Sequence, residues 1–499
     1  MERRDFLKNI GLAGGMFVLP EAMVPSALLR NLPGKDLSSL VLKGKVHNNG
    51  KAIAGVAVTD GINVTLTDKD GKYELLSNNT AEFVYISIPA GYAFENNLGI
   101  ANFYRPLAEK QGSFKSDFNL QKLPGDDSRH HFVVWADTQM ISKEDAQQLK
   151  DTAAPDLKEL VSSYPAGSLF HGIGCGDLVW DHFELFDDYR DAVAITGIPF
   201  FNVIGNHDMD LDARSDEHSA KTFKQQFGPT YYSFNRGAIH YVILDDVFFI
   251  GVAKKYIGYI TEMQLQWLEQ DLAHVKKGST IIVCLHIPTN TGLARRVNKE
   301  EELGGVVANR KQLYKLLSPF KVHIMSGHTH FNEKWEEGNI MEHNHGTVCG
   351  AWWTGPICSD GTPRGYGVYE VDGNDLKWFY KSTGQPKQHQ LKIYAPGRFK
   401  EHPTELVLNV WNWDQSWKVE WFEDDQPKGA MQQRVSLDPW AVELYAGAEL
   451  PKKHKFVEPT LADHLFFATP TPGARRITVK AIDRFGKEYA ETVNLDGAG

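Results

Sequence analysis

Oxygen and imidazole donors recur five times in the middle third of the chain, each time just after an apolar run. They are Asp137-Thr138-Gln139, Gly176-Asp177, Gly205-Asn206-His207-Asp208, His286 within Leu285-His286-Ile287-Pro288, and Gly327-His328-Thr329-His330. Carboxylates, imidazoles and side-chain amides together form a donor set for Mn, Fe or Zn. A single Asp after a strand is ordinarily a turn former or a helix cap, and a single His a satisfied loop or core residue. Recurrence in one register alters that balance, because strand ends in a layered α/β sheet converge on one edge.

The apolar runs that precede the motifs read as buried strands, at residues 131–136, 198–204, 239–244 and 280–285. Between them, residues 146–160 and the stretch opened by Met263 carry apolar side chains at helical spacing. This alternation predicts an α/β layered core over residues 128–385. Upstream, from about Leu40, short alternating runs are broken by Asp60-Gly61 and Asp70-Gly71, a strand-and-hairpin pattern that predicts a β-sandwich over residues 38–125. The polar stretch Pro124-Gly125-Asp126-Asp127-Ser128 closes it. Beyond Leu391 the β texture returns at residues 406–411, 417–421 and 477–483, predicting a second β-sandwich over residues 386–499.

Composition sets outer limits. Hydrophobic residues at 42% and charged residues at 23% place the chain among globular proteins. A formal net charge of −10 disfavours nucleic acid or an anionic membrane surface as a general partner, so an anionic substrate must meet positive charge locally. Four Cys are too few for a disulfide framework. Cys175 and Cys284 read as buried thiols, while for Cys349 and Cys358 pairing and free thiols stand equal. No segment is apolar over enough residues to span a bilayer. The start, Met1-Glu2-Arg3-Arg4-Asp5-Phe6-Leu7-Lys8 followed by Gly-rich apolar residues 10–19, resembles a twin-arginine export signal. Residues 1–30 are thus expected to direct the protein to the periplasm or otherwise outside the cytoplasm; an amphipathic N-terminal helix in a cytoplasmic protein is the alternative.

The ordered set Asp-x-Gln, Gly-Asp, Gly-Asn-His-Asp, His, Gly-His-x-His resembles the calcineurin-like metallophosphoesterase family across residues 129–381. Phe227-Gly228-Pro229-Thr230-Tyr231-Tyr232-Ser233-Phe234, Gln264-x-x-Trp267-Leu268, Gly350-Ala351-Trp352-Trp353 and Gly365-Tyr366-Gly367-Val368-Tyr369 are similar to exported bacterial members with flanking N- and C-terminal β domains. The resemblance implies a four-layer αββα sandwich flanked by two small β-sandwiches. It implies one divalent ion on Asp137, Gln139, Asp177 and His330, and a second on Asp177, Asn206, His286 and His328, with Asp177 bridging. Two such ions, Mn, Fe, Mg or Zn, would generate hydroxide for in-line attack on phosphorus. His207 would act as general acid or stabilise the transition state, and Asp208 would orient its ring. Gln139 stands where many members have His; it either coordinates through its amide oxygen, favouring harder ions, or only hydrogen-bonds a neighbouring ligand.

Weaker candidates for binding substrate are Asp181 and His182, Arg295 and Arg296, and Trp352 and Trp353, each with a plain reading as helix start, solvated loop or packing. The expected activity is hydrolysis of a small phosphorylated substrate, with a phosphomonoester ahead of a phosphodiester or pyrophosphate. The reading from another class is a non-catalytic glycan-binding surface protein with a degenerate hydrolase core. Oligomeric state is not legible.

Overall fold

The computed structural model describes residues 39–108 and 111–495. The twin-arginine segment lies outside the described residues. No described helix is long and apolar enough to cross a membrane.

Two central sheets face one another. In the first, seven strands run in the order Asp375–Ser382, Gly365–Asp372, Arg129–Trp135, Phe170–Cys175, Phe200–Val203, Ile100–Ala101, Asn96–Asn97. The second holds six in the order Tyr232–Arg236, Ile239–Ile243, Thr280–Cys284, Lys321–Ser326, Ile340–Asn344, Glu333–Glu337. Strands covered on both faces favour apolar side chains at successive positions, which is why the inner segments Phe200–Val203, Ile239–Ile243 and Thr280–Cys284 are buried throughout and read as largely apolar runs. Their two faces go to different layers. Phe132, Val134, Ile173 and Phe201 meet Phe234, Tyr241, Ile282 and Met325 between the sheets. Val133, Trp135 and Phe200 pack outward on Ala146, Leu157 and Tyr189 from the helices of the first sheet. Val242, Ile281 and Ile324 pack outward on Trp267, Leu268 and Leu313. The result is the expected αββα sandwich. The single helical stretch over 146–160 is two helices, Lys143–Asp151 and Ala153–Ser162, with Thr152 ending one and preceding the other.

The N-terminal block is a pair of sheets around Leu40, Leu42, Val58, Leu75, Val84 and Phe118. Its burial alternates along Lys72–Asn78, as period two requires. It is not self-contained. Ile100 pairs with Phe200 at the edge of the first central sheet, and Phe94 packs edge-on against Phe201 at 4.9 Å. The C-terminal block is another sheet pair, with Lys392–Tyr394, Leu406–Asn409, Ala462–Ala468 and Gln432–Ser436 opposite Gln426–Ala430, Lys418–Glu423, Arg476–Ile482 and Glu488–Asn494. Leu408, Val419, Trp421, Phe466, Ile477 and Val479 fill it. Its helix Pro439–Tyr445 sets Ala441 and Tyr445 against Ala351 and Ile357 of the Trp-rich loop. All four cysteines are buried free thiols.

Candidate metal centre

Parallel strands end where the donors begin. Asp137, Asp177, His286 and His328 each lie two residues past a strand, and Asn206 lies three past Phe200–Val203. The chain turns abruptly there. Asp137, Gln139, Asp177, His328 and His330 all adopt left-handed backbone, with φ between 39° and 67°. Non-glycine residues in this region cost roughly 1–3 kcal/mol each and persist where their surroundings dictate the conformation. Two glycines let the loops close: a Cβ on Gly205 would lie 2.1 Å from the Asp177 backbone nitrogen, and one on Gly327 would lie 2.5 Å from an Asp137 carboxylate oxygen.

Asp177 is the hub. It accepts the Gln139 side-chain N–H at 3.0 Å and the His207 backbone N–H at 2.9 Å, and lies 3.3 Å from His286 Nε2. Asp137 accepts the His328 backbone N–H at 3.1 Å and lies 3.3 Å from His330 Nε2. His286 Nδ1 donates to the Cys175 carbonyl at 3.0 Å, which turns Nε2 toward Asn206 Oδ1, 3.1 Å away, and toward Asp177. A carbonyl behind a ligating imidazole fixes its tautomer in this way. Donor atoms of Asp177, His286 and His328 lie within 4.8 Å of one another. Gln139 Oε1 and His330 Nδ1 are buried without a hydrogen-bond partner. Orphaned polar atoms beside buried carboxylates are what a cation would satisfy, so the residues present fit divalent ions.

The electrostatics have the same origin. Burial opposes ionisation of Asp177, yet His286 and His207 hold it below the usual carboxylate range. Burial also opposes the charged form of His286, but Asp177 lifts it to about 10. His328 falls to about 3 through burial and the neighbouring His286. Burial would lower His207, but the Asp177 and Asp181 carboxylates outweigh it and raise the ring.

The partner expected for His207 is corrected. Its Nδ1 donates to Asp181 Oδ1 at 2.9 Å, and Lys254 lies 3.3 Å from the other Asp181 oxygen. Asp208 instead accepts the backbone N–H groups of Gly205, Leu178 and Val179 at 2.9–3.2 Å, bracing two ligand loops. Burial and the nearby Asp177 charge raise it to about 7. Adjacency in sequence does not bring its carboxylate onto the His207 ring, because those three backbone groups take it up.

Of the weaker candidates, Asp181 and Trp352 belong at the centre. The Trp352 ring lies 4.3 Å from that of His330. Trp353 is buried and donates its indole N–H to the Thr138 carbonyl, so it supports the first motif from beneath. His182 bonds Glu184 instead. Arg295 stacks over Trp335, and Arg296 is buried in an ion pair with Glu333 and Asp463, because unpaired carboxylates there would be costly.

Several residues escaped the sequence reading. Asp246 accepts the His286 backbone N–H at 3.1 Å. Its place three residues after the strand Ile239–Ile243 is the strand-end rule again, and that signal was available. Trp180 lies edge-on to the His207 ring at 5.5 Å, and Tyr256 to His328 at 6.0 Å. His454 and Phe456, from the C-terminal third, pack on Trp180 with no local pattern to announce them.

Comparison with known proteins identifies the family. Residues 131–332 match the calcineurin-like phosphoesterase model, residues 40–123 the N terminal of calcineurin-like phosphoesterase, and residues 342–489 its C terminal. The chain is 25% identical over 167 residues to purple acid phosphatase 15 of Arabidopsis thaliana, covering 31% of this chain and 28% of that protein. It is 28% identical over 170 residues to the serine/threonine-protein phosphatase CPPED1 of Mus musculus, covering 32% and 52% respectively. The matched region is thus about half of the second relative and less of the first. Among solved structures, a dimetal phosphatase from Danio rerio aligns with a TM-score of 0.38 at 13% identity, over 51% of this chain and 97% of that one. With three consecutive matches from residue 40 to residue 489, the chain belongs to the calcineurin-like phosphoesterase family.

Proposed function

We propose that the protein hydrolyses small phosphomonoesters with two divalent ions, one held by Asp137, Gln139, Asp177 and His330 and the other by Asp177, Asn206, His286 and His328. The observation that carries this reading is the convergence of Gln139, His286 and His328 on Asp177, with Asn206 on His286 and His330 on Asp137, while His207 is held by Asp181. Bound there, the ions supply positive charge to the phosphoryl oxygens and acidify water. The chain's own part is positional and protonic. With Nδ1 committed to Asp181, His207 has Nε2 left to give a proton to the departing oxygen. The carboxylates around it favour the protonated ring that this requires.

The test is hydrolysis of p-nitrophenyl phosphate beside bis-p-nitrophenyl phosphate, after metal stripping and re-addition of Mn, Mg, Fe or Zn singly. Activity restored by metal, greater on the monoester and absent from Asp177→Asn, is expected. Preference for the diester would replace monoesterase by diesterase. Silence with no metal bound would favour the non-catalytic scaffold.

Export is proposed on the strength of Arg3-Arg4 and the apolar residues that follow. Cell fractionation is expected to find the protein outside the cytoplasm, and the double change Arg3→Lys, Arg4→Lys to retain it inside.

A further inference from the structure

We propose that Phe456, with Trp352 and Trp180, forms a stacking surface that selects phosphoesters whose leaving group carries a flat ring; this rests on the hydrolase reading above.

Phe456 leaves 57% of its surface in water, an arrangement the core does not require. It is nevertheless held in place. Its ring meets Trp352 at 5.4 Å and Trp180 at 6.0 Å, both edge-on, and lies 5.3 Å from His454. The segment is pinned on both sides. Lys453 pairs with the buried Asp145 carboxylate. Val457 is 3% exposed among Ala351, Ile357 and Tyr445, and the Thr460 N–H reaches the Ser359 carbonyl at 2.9 Å. The rings are therefore ordered before a ligand arrives, which lowers the entropy lost on binding.

Their location gives them a purpose. Trp352 is one ring contact from His330, a candidate ligand, and Trp180 one from His207, the candidate acid. A phosphoryl group at the centre would thus project its ester group toward an aromatic wall built jointly by the central and C-terminal parts of the chain. Aromatic faces favour flat π-systems over saturated rings of the same size, through offset or edge contacts.

Benzyl phosphate and cyclohexylmethyl phosphate test this, being similar in size and in leaving-group basicity but differing in planarity. Replacing Phe456→Ala is expected to lower the benzyl-to-cyclohexylmethyl ratio of kcat/KM about threefold to tenfold, and Phe456→Tyr to restore it. AMP against ribose 5-phosphate forms a second pair; a response in either supports the surface, and the responding pair names the source of the ring. Ratios unmoved in both pairs overturn it. Where no ester is turned over, binding of benzylphosphonate and cyclohexylmethylphosphonate, read by tryptophan fluorescence, takes the place of turnover: tighter binding of the benzyl compound that Phe456→Ala abolishes supports the surface, and equal binding of the two overturns it.

Discussion

Asp181 Oδ1 accepts the Nδ1–H of His207 at 2.9 Å, so the carboxylate that holds this ring lies 26 positions away in sequence rather than next to it. Replacing His207→Ala should lower kcat by about 10²–10⁴ while bound metal, measured by elemental analysis, is unchanged. Loss of metal with unaltered turnover per metal would assign His207 a structural role.

Asp181→Asn acts on the same ring from behind. It removes a carboxylate that raises His207, so the ring should lose its proton at lower pH. The alkaline limb of the kcat–pH profile is expected to move to lower pH, with metal content intact. An unmoved limb would detach Asp181 from the proton.

Gly205 faces a harder limit. A side chain there would overlap the Asp177 backbone nitrogen and carboxylate, and the carboxylate is already held by the His207 backbone N–H. Gly205→Ala should destabilise the fold by about 1–3 kcal/mol, read by denaturant unfolding, and release metal more readily than the wild type.

Gln139→Ala should weaken metal binding about 10- to 100-fold by titration calorimetry, since it removes both the candidate amide oxygen and a hydrogen bond to Asp177. Unchanged affinity for both ions would leave Gln139 a bystander.

Glu342, outside the candidate ligand set, provides a pH test. Burial raises it from 4.5 to about 7, despite hydrogen bonds from Thr289 and Ser326. A carboxyl with a raised folded-state pKa holds its proton more tightly in the native protein, so its stabilising effect is full below pH 4.5 and is lost as pH rises to 7. Glu342→Gln carries no such charge. Its stability relative to wild type should rise by up to about 3 kcal/mol across that window and level off above it.

How much of this was legible follows from the range of each signal. The strand-end donors were readable because a buried strand and the turn that follows it are contiguous, so Asp137, Asp177, His286 and His328 each follow their own apolar run. Contacts made across the fold left no such trace. Arg296 looks like a solvated cation until Glu333 and Asp463 close on it. Phe456 sits in a polar stretch over 100 residues from Trp352, and only tertiary packing unites them. Asp208 shows the opposite error, where adjacency in sequence suggested a contact and three backbone N–H groups take up the carboxylate instead.

The pairing of Ile100 with Phe200 has a further consequence for how this protein is made and handled. A chain begun at residue 128 would leave the Phe200–Val203 strand with bare N–H and C=O groups and strip Phe94 from Phe201. Such an edge is a template for another copy, so the excised central block should self-associate through it. During synthesis the cover for that edge emerges about 100 residues ahead of the strand it will cover, so the N-terminal block shields a sheet that has not yet formed.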